Sequence, residues 1–271
     1  MRISRVIILG AVLLLGLPGC GTKQEVSLPT APSPAHTSGA QASENNDDQV
    51  IVSRTLGFSR VNEKPYGTFF KKEEIAVFAK AVKSADKMQG MLDVPQSDYD
   101  VVLVQGGKRK EFHLWVDAST KYGMITYVSE TGQGYRLTEK STRALYDLIW
   151  GLKYDSKQAE TNGDIVNIHG KLINQDVWEQ FAANVKSGAK SEVQVVQYTI
   201  EGDPIFNNLS FDGETIRNIY ENTHDAYGTP MKRYAFCKAI EEKKSDQGTV
   251  YELASCGEGE AKEGWFSLLV P

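Results

Sequence analysis

The first 49 residues limit any fold most sharply, because neither of their two parts can enter a packed core; whatever is compact must be built from Val50 onward. Arg2 and Arg5 flank the start of a 12-residue apolar run over residues 6–17. Such a run is too short to cross about 30 Å of hydrocarbon as a helix, and it has the charged lead and apolar body of an export signal. It ends on Leu17-Pro18-Gly19-Cys20, a small residue followed by a cysteine whose thiol can be diacylated before cleavage. The expectation is a lipoprotein signal peptide over residues 1–19 and a lipid-attachment site at Cys20. Two acyl chains anchor stably where one is marginal, so the product is expected to stay on the outer face of its membrane. Pro18 stands where Ala, Ser or Thr is usual, and an ordinary secretory signal with a coincidental cysteine is the alternative. Residues 20–49 form the tether: beyond Cys20 this stretch has almost no large apolar side chain, carries Pro29, Pro32 and Pro34, and continues through Ser, Asn, Asp and Gln. That composition cannot bury a core. As a coil it reaches about 30 Å.

Without the signal segment, 28 basic residues stand against 35 acidic ones, a net charge of −7. The balance disfavours nucleic acid as a partner and gives no electrostatic pull toward anionic lipid. The sequence beyond the tether suffices for two ordinary domains, placed at 50–154 and 162–271. With Cys20 taken by lipid, only Cys237 and Cys256 are left, and outside the cytosol an isolated pair suggests a disulfide.

In the first region a strand is expected over residues 50–61, with a turn at Lys64-Pro65. Ile75, Phe78, Ala79 and Val82 then form one helical stripe over residues 72–87. Residues 100–105 and 110–117 flank Gly106-Gly107, a hairpin turn signal. Residues 123–129 and 134–137 suggest a second hairpin. Thr138 is placed to cap a closing helix with Leu145, Leu148 and Ile149 inward and Gly151 at its end. Strands and helices in this order predict an α+β fold, each domain a mostly antiparallel sheet packed with one or two helices.

In the second region a short strand over residues 164–169 precedes a helix capped by Asn174 or Asp176, carrying Val177, Phe181 and Val185 and stopped by Gly188. A two-residue turn at Asp212-Gly213 pairs Leu209 with Ile216, and a loop at Glu201-Gly202-Asp203-Pro204 pairs Ile200 with Ile205. Three strands then share an apolar face crossed by the polar row Tyr198, Asn207 and Asn218. Those groups either satisfy one another, fixing register, or face a ligand. A last hairpin turning at residues 245–248 sets Lys244 opposite Thr249, Ile240 opposite Leu253 and Glu241 opposite Glu252. It also sets Cys237 opposite Cys256, within disulfide reach.

Two segments, Asn162-Gly163-Asp164-Ile165-Val166-Asn167-Ile168-His169-Gly170 and Val196-Gln197-Tyr198-Thr199-Ile200-Glu201-Gly202-Asp203-Pro204-Ile205, together with the cysteine hairpin, resemble the domain of unknown function found in Bacillus-type lipoproteins. Residues 50–151 are similar to the YhfM-like lipoprotein domain. The resemblance implies a Gram-positive host, hence the cytoplasmic membrane as the anchoring surface. It brings no activity, substrate or catalytic residue.

Chemistry-bearing motifs are sparse. His113 and His169 are isolated, each expected on a strand and neither with a second metal ligand at fixed spacing. No nucleophile elbow, P-loop or dinucleotide fingerprint occurs, so no cofactor, metal or catalytic residue is expected. Glu201 with Asp203 is a possible carboxylate pair, though Gly-Asp-Pro is ordinary turn chemistry. His224-Asp225 is a possible dyad without an assignable nucleophile. The reading is a non-catalytic binding or interaction lipoprotein facing an extracytoplasmic protein or cell-wall partner. The alternative is an envelope enzyme or enzyme inhibitor with a dispersed site. A solute receptor is disfavoured because it needs two larger α/β lobes around a cleft.

Overall fold

The computed structural model describes residues 48–90, 92–257 and 264–271; the signal segment, Cys20 and nearly all of the tether lie outside the described residues. The N-terminal region is a seven-stranded antiparallel sheet. β1 (Gln49–Arg54) lies between β2 (Pro65–Phe69) and β4 (Tyr99–Gln105), and β5 (Lys108–Trp115), β6 (Met124–Tyr127), β7 (Tyr135–Arg136) and β3 (Asp86–Lys87) follow across it. Gly106 and Gly107 form the expected two-residue turn, with φ of 56° and 72° and Gln105 opposite Lys108. Positive φ at both positions matches the twist of the flanking strands.

The strand expected over residues 50–61 ends at Arg54. Beyond it, side chains take over the hydrogen bonding: the Asn62 amide donates to the Arg54 carbonyl (2.8 Å), and the Asn62 N–H donates to Asp100 (2.7 Å). Lys64-Pro65 opens β2, an edge strand that tolerates proline at its first position. The first helix, α1 (Lys72–Lys83), buries Ile75, Phe78 and Ala81. It stops short of residue 87 because Asp86 and Lys87 pair with Arg136 and Tyr135. Thr138 caps α2 (Glu139–Trp150) by accepting from the Ser141 N–H at 3.1 Å, and Leu145 and Ile149 are buried.

A short helix, α3 (Ser156–Thr161), capped by Asp155, joins the two regions. The second region is a six-stranded sheet of β13 (Lys232–Cys237), β12 (Ile216–Glu221), β11 (Pro204–Phe211), β10 (Ser191–Tyr198), β8 (Ile165–Ile168) and β9 (Lys171–Ile173). Among the described strands only β8 and β10 pair in parallel. Parallel neighbours need a crossover, supplied by α4 (Gln175–Ser187), which buries Trp178 and Phe181. Asn174 takes a left-handed conformation ahead of α4 without capping it, and its side chain bonds the Asp164 and Glu160 carbonyls instead. β14 (Ala239–Ser245), β15 (Gly248–Ala254) and β16 (Ser267–Val270) form a third, three-stranded sheet.

Two registers differ from the sequence reading. Asp212 accepts from the Glu214 and Thr215 N–H groups (2.9 and 2.8 Å), which widens the turn, so Phe211 rather than Leu209 faces Ile216. That slip is even and leaves every side chain on its face. Between β10 and β11 the slip is odd: Tyr198 faces Pro204 and Val195 faces Asn207. Tyr198 therefore lies on the face opposite Asn207 and Asn218, and Ile200, expected in the core, is 89% exposed on the turn. His169 is also corrected, from strand to turn: with Gly170 it makes the left-handed pair (φ 51° and 92°) that joins β8 to β9.

Both faces of the six-stranded sheet are covered. Val193, Val195, Leu209 and Ile216 pack with α4 and the three-stranded sheet. Val196, Tyr198 and Phe206 enter the core that holds Val52, Phe78, Leu114 and Ile149 of the N-terminal region. The described residues accordingly form one compact unit. The last hairpin has the expected register, Ile240 opposite Leu253, and Cys237 and Cys256 are bonded (S–S 2.00 Å) where the chain passes from the six-stranded to the three-stranded sheet. Glu241 does face Glu252, and Lys243 donates to the latter.

Candidate functional site

Where the two large sheets meet, register places two rows of side chains against each other. Arg54, at the end of β1, lies opposite Tyr99 of β4. Phe206, Glu221 and Lys232 lie directly opposite one another across β11, β12 and β13. The Arg54 guanidinium pairs with Glu221 at side-chain exposures of 5% and 6% and sits 4.0 Å over the Phe206 ring. Lys232 Nζ is 2.7 Å from Asp98 and 3.9 Å from Glu221. Thr223 donates to Glu221 at 2.6 Å, and the Val116 N–H donates to Asp98 at 2.9 Å. Each of these charges thus has an opposite charge beside it, as burial demands, although Arg54 Nε and Nη1 are buried without a hydrogen-bond partner. Burial alone would raise Glu221, but Arg54 and then Lys232 hold it down at about 2. For Asp98 burial prevails over the pull of Lys232, and its carboxyl is raised.

His224 completes the cluster. The Tyr66 hydroxyl is 3.1 Å from Nδ1 and the Tyr99 hydroxyl 3.0 Å from Nε2. A neutral imidazole offers one donor and one acceptor, so one tyrosine donates and the other accepts. Burial, reinforced by Arg54, pushes the imidazole down to about 4. Trp150, at the end of α2, stacks on His224 (5.0 Å, 16°) and on Tyr146 one turn earlier (5.8 Å, 20°).

Above this cluster opens a cleft of about 550 Å³ between the two regions. Asp98, Glu221 and Lys232 form its floor, and Tyr146 and Trp150 one wall. Asp117 and Asp225 stand on rim turns. Asp117 accepts from the Ser119 and Thr120 N–H groups (2.7 and 2.9 Å), and Asp225 from those of Tyr227 and Gly228 (3.0 and 2.8 Å). Concave, largely apolar surface with a few convergent polar groups is the usual form of a ligand site.

The residues picked out by sequence fall mostly elsewhere. Asn218 is fully buried and donates to Asn207 (3.2 Å) and to the Gly264 carbonyl (2.9 Å), so this pair ties β12 to the chain entering β16. Tyr198 donates to the Tyr154 carbonyl on the other face. Asp203 accepts from the Ala226 N–H, while Glu201 is exposed and not brought into a pair with it. His224 and Asp225 do not form a dyad, because the imidazole turns to the tyrosines and the carboxylate caps its own turn. His113 bonds Asp100 (2.7 Å) in a buried row on the N-terminal sheet. Among the described residues no group of three or more His, Cys, Asp or Glu is placed to hold a metal, and no helix is long and apolar enough to cross a membrane. Arg54, Glu221 and Lys232 were not picked out. Each is a charge at the terminal position of its strand, which gives no local signal of the cluster.

The architecture is that of an α+β protein in which two sheet-based regions share a core and a cleft. Its N-terminal part, residues 44–154, matches the family described as YhfM protein, and residues 162–252 match a domain of unknown function, DUF4362; the chain carries both domains. No curated protein matches the chain. Among solved structures, a thioesterase-like protein from Clostridium sporogenes is similar over 38% of this chain and 95% of its own, at 15% identity and a TM-score of 0.30, too slight a likeness to carry an argument.

Proposed function

We propose that this chain is a lipoprotein, attached through Cys20 to the outer face of the bacterial cytoplasmic membrane, that binds an extracytoplasmic protein or cell-wall partner in the cleft without catalysing a reaction. The observation behind the binding role is the cleft itself: a volume of about 550 Å³ with aromatic and apolar walls over a floor whose charges are already paired. The histidine nearest the cleft has both ring nitrogens bonded to tyrosines. It is thereby engaged in holding the two regions together, which favours binding over general-base chemistry. Anchoring rests on the apolar run ending at Leu17-Pro18-Gly19-Cys20 and the core-less tether after it.

A photo-crosslinking residue at Met231, on the cleft lining, is expected to give a discrete adduct in intact cells that disappears with Trp150→Ala. Hydrolysis of a wall or ester substrate by the purified chain, abolished by Asp98→Asn, would overturn the non-catalytic reading. Metabolic labelling with a clickable palmitate analogue is expected to mark the chain and to fail with Cys20→Ala. An unlabelled, exported, Cys20-intact product would remove the anchor.

A further inference from the structure

Resting on the binding role proposed for the cleft, we infer that its ligand is a basic peptide segment, a lysine or arginine side chain of which enters between the Asp117 and Asp225 turns. The cleft is lined by four carboxylates, Asp98, Asp117, Glu221 and Asp225, against one ammonium, Lys232. The two floor carboxylates are matched by Lys232 and, behind it, Arg54. The two rim carboxylates are engaged through Oδ1 by backbone N–H groups of their own turns. Hydrogen bonds of that kind orient a carboxylate without cancelling its charge. The excess charge therefore sits at the mouth, where an entering cation meets it first.

Two further features fit that chemistry. The wall is aromatic, and it already carries a cation: the Arg143 guanidinium stands 5.2 Å over the Tyr146 ring, which in turn stacks on Trp150, 39% exposed at the cleft. Ring faces attract guanidinium and ammonium groups. The lining also carries apolar side chains, Val116, Ala118, Pro230 and Met231. A methylene stem packs on such surface while its charged tip reaches a carboxylate, which suits lysine and arginine better than a small ammonium ion. A second carboxylate-bearing ligand would meet like charge at the same mouth.

The test is calorimetric titration of the full chain in detergent micelles with tetralysine, tetraglutamate and an N-acetylglucosamine tetramer. Tetralysine is expected to bind and to weaken with added salt. The double substitution Asp117→Asn with Asp225→Asn, which keeps both turn acceptors, is expected to weaken it at least tenfold. Glu179→Gln with Glu241→Gln, remote from the cleft, is expected to change it less than twofold. Equal loss from the remote pair, or none from the rim pair, would overturn the basic-peptide inference. Binding of tetraglutamate or the saccharide, lost with Trp150→Ala while tetralysine stays inert, would also overturn it but leave the cleft a binding site. If no probe binds and no adduct forms at Met231 in cells, both proposals fall.

Discussion

His224 and Glu221 divide the acid response between them. The imidazole is held at about 4 in the folded chain against 6.5 when unfolded, so the unfolded chain takes up its proton first as pH falls. The stability this residue contributes is complete above about pH 6.5 and is lost on the way down to about 4, on the order of 3 kcal/mol. Glu221, held at about 2 against 4.5, has the same sign and a lower window, from about 4.5 to 2, again on the order of 3 kcal/mol. For His113 burial pulls the imidazole down but the Asp100 hydrogen bond and charge raise it, so its contribution has the opposite sign and a higher window, complete below about pH 6.5 and lost as pH rises above it. Urea melts at pH 7, 5 and 3 are expected to show two successive losses. His224→Gln, which keeps a donor and an acceptor, removes the first and spares the second. Glu221→Gln strands Arg54 as a buried unpaired charge and is expected to cost about 3–5 kcal/mol at pH 7, whereas Arg54→Met combined with Glu221→Leu returns most of it. If the double variant were as unstable as the single, the pair would matter through packing and not through charge.

Individual elements were legible where their signals are local. The α2 cap is one: Thr138→Ala removes the acceptor for the Ser141 N–H and is expected to lower stability by about 1 kcal/mol, read as a shift in urea midpoint at unchanged slope. The Gly106-Gly107 turn and the β14–β15 hairpin were likewise readable, since each needs only a turn of fixed length between alternating strands. The β10–β11 register was not. Val195 and Val196 are both fully buried, on opposite faces. A strand covered on both sides loses the alternation from which faces are read. The cleft was hidden for a related reason: Arg54 and Glu221 are 167 residues apart, and no short-range pattern announces such a pairing. His224 was noticed, but as a partner for its neighbour Asp225. The two tyrosines that bind it come from β2 and β4 and are more than a hundred residues away.

At the scale of the whole molecule, two features hold the sheets in place. The Cys237–Cys256 bond spans a sequence separation of 19 at the passage between sheets, and closing a loop of that order is worth about 3 kcal/mol in the chain-entropy model. Replacing both cysteines with alanine is expected to lower the urea midpoint correspondingly and to raise susceptibility to proteolysis first around β14–β16. The other feature is the shared core, in which Val196, Tyr198 and Phe206 are embedded among side chains of the N-terminal sheet. Parting the two regions would expose that surface to water, so the jaws around the cleft are not free to swing. A ligand must therefore enter an aperture whose width is already set. In stopped-flow mixing, association should follow a single phase whose rate climbs linearly with ligand concentration, with no plateau from a slower closing step.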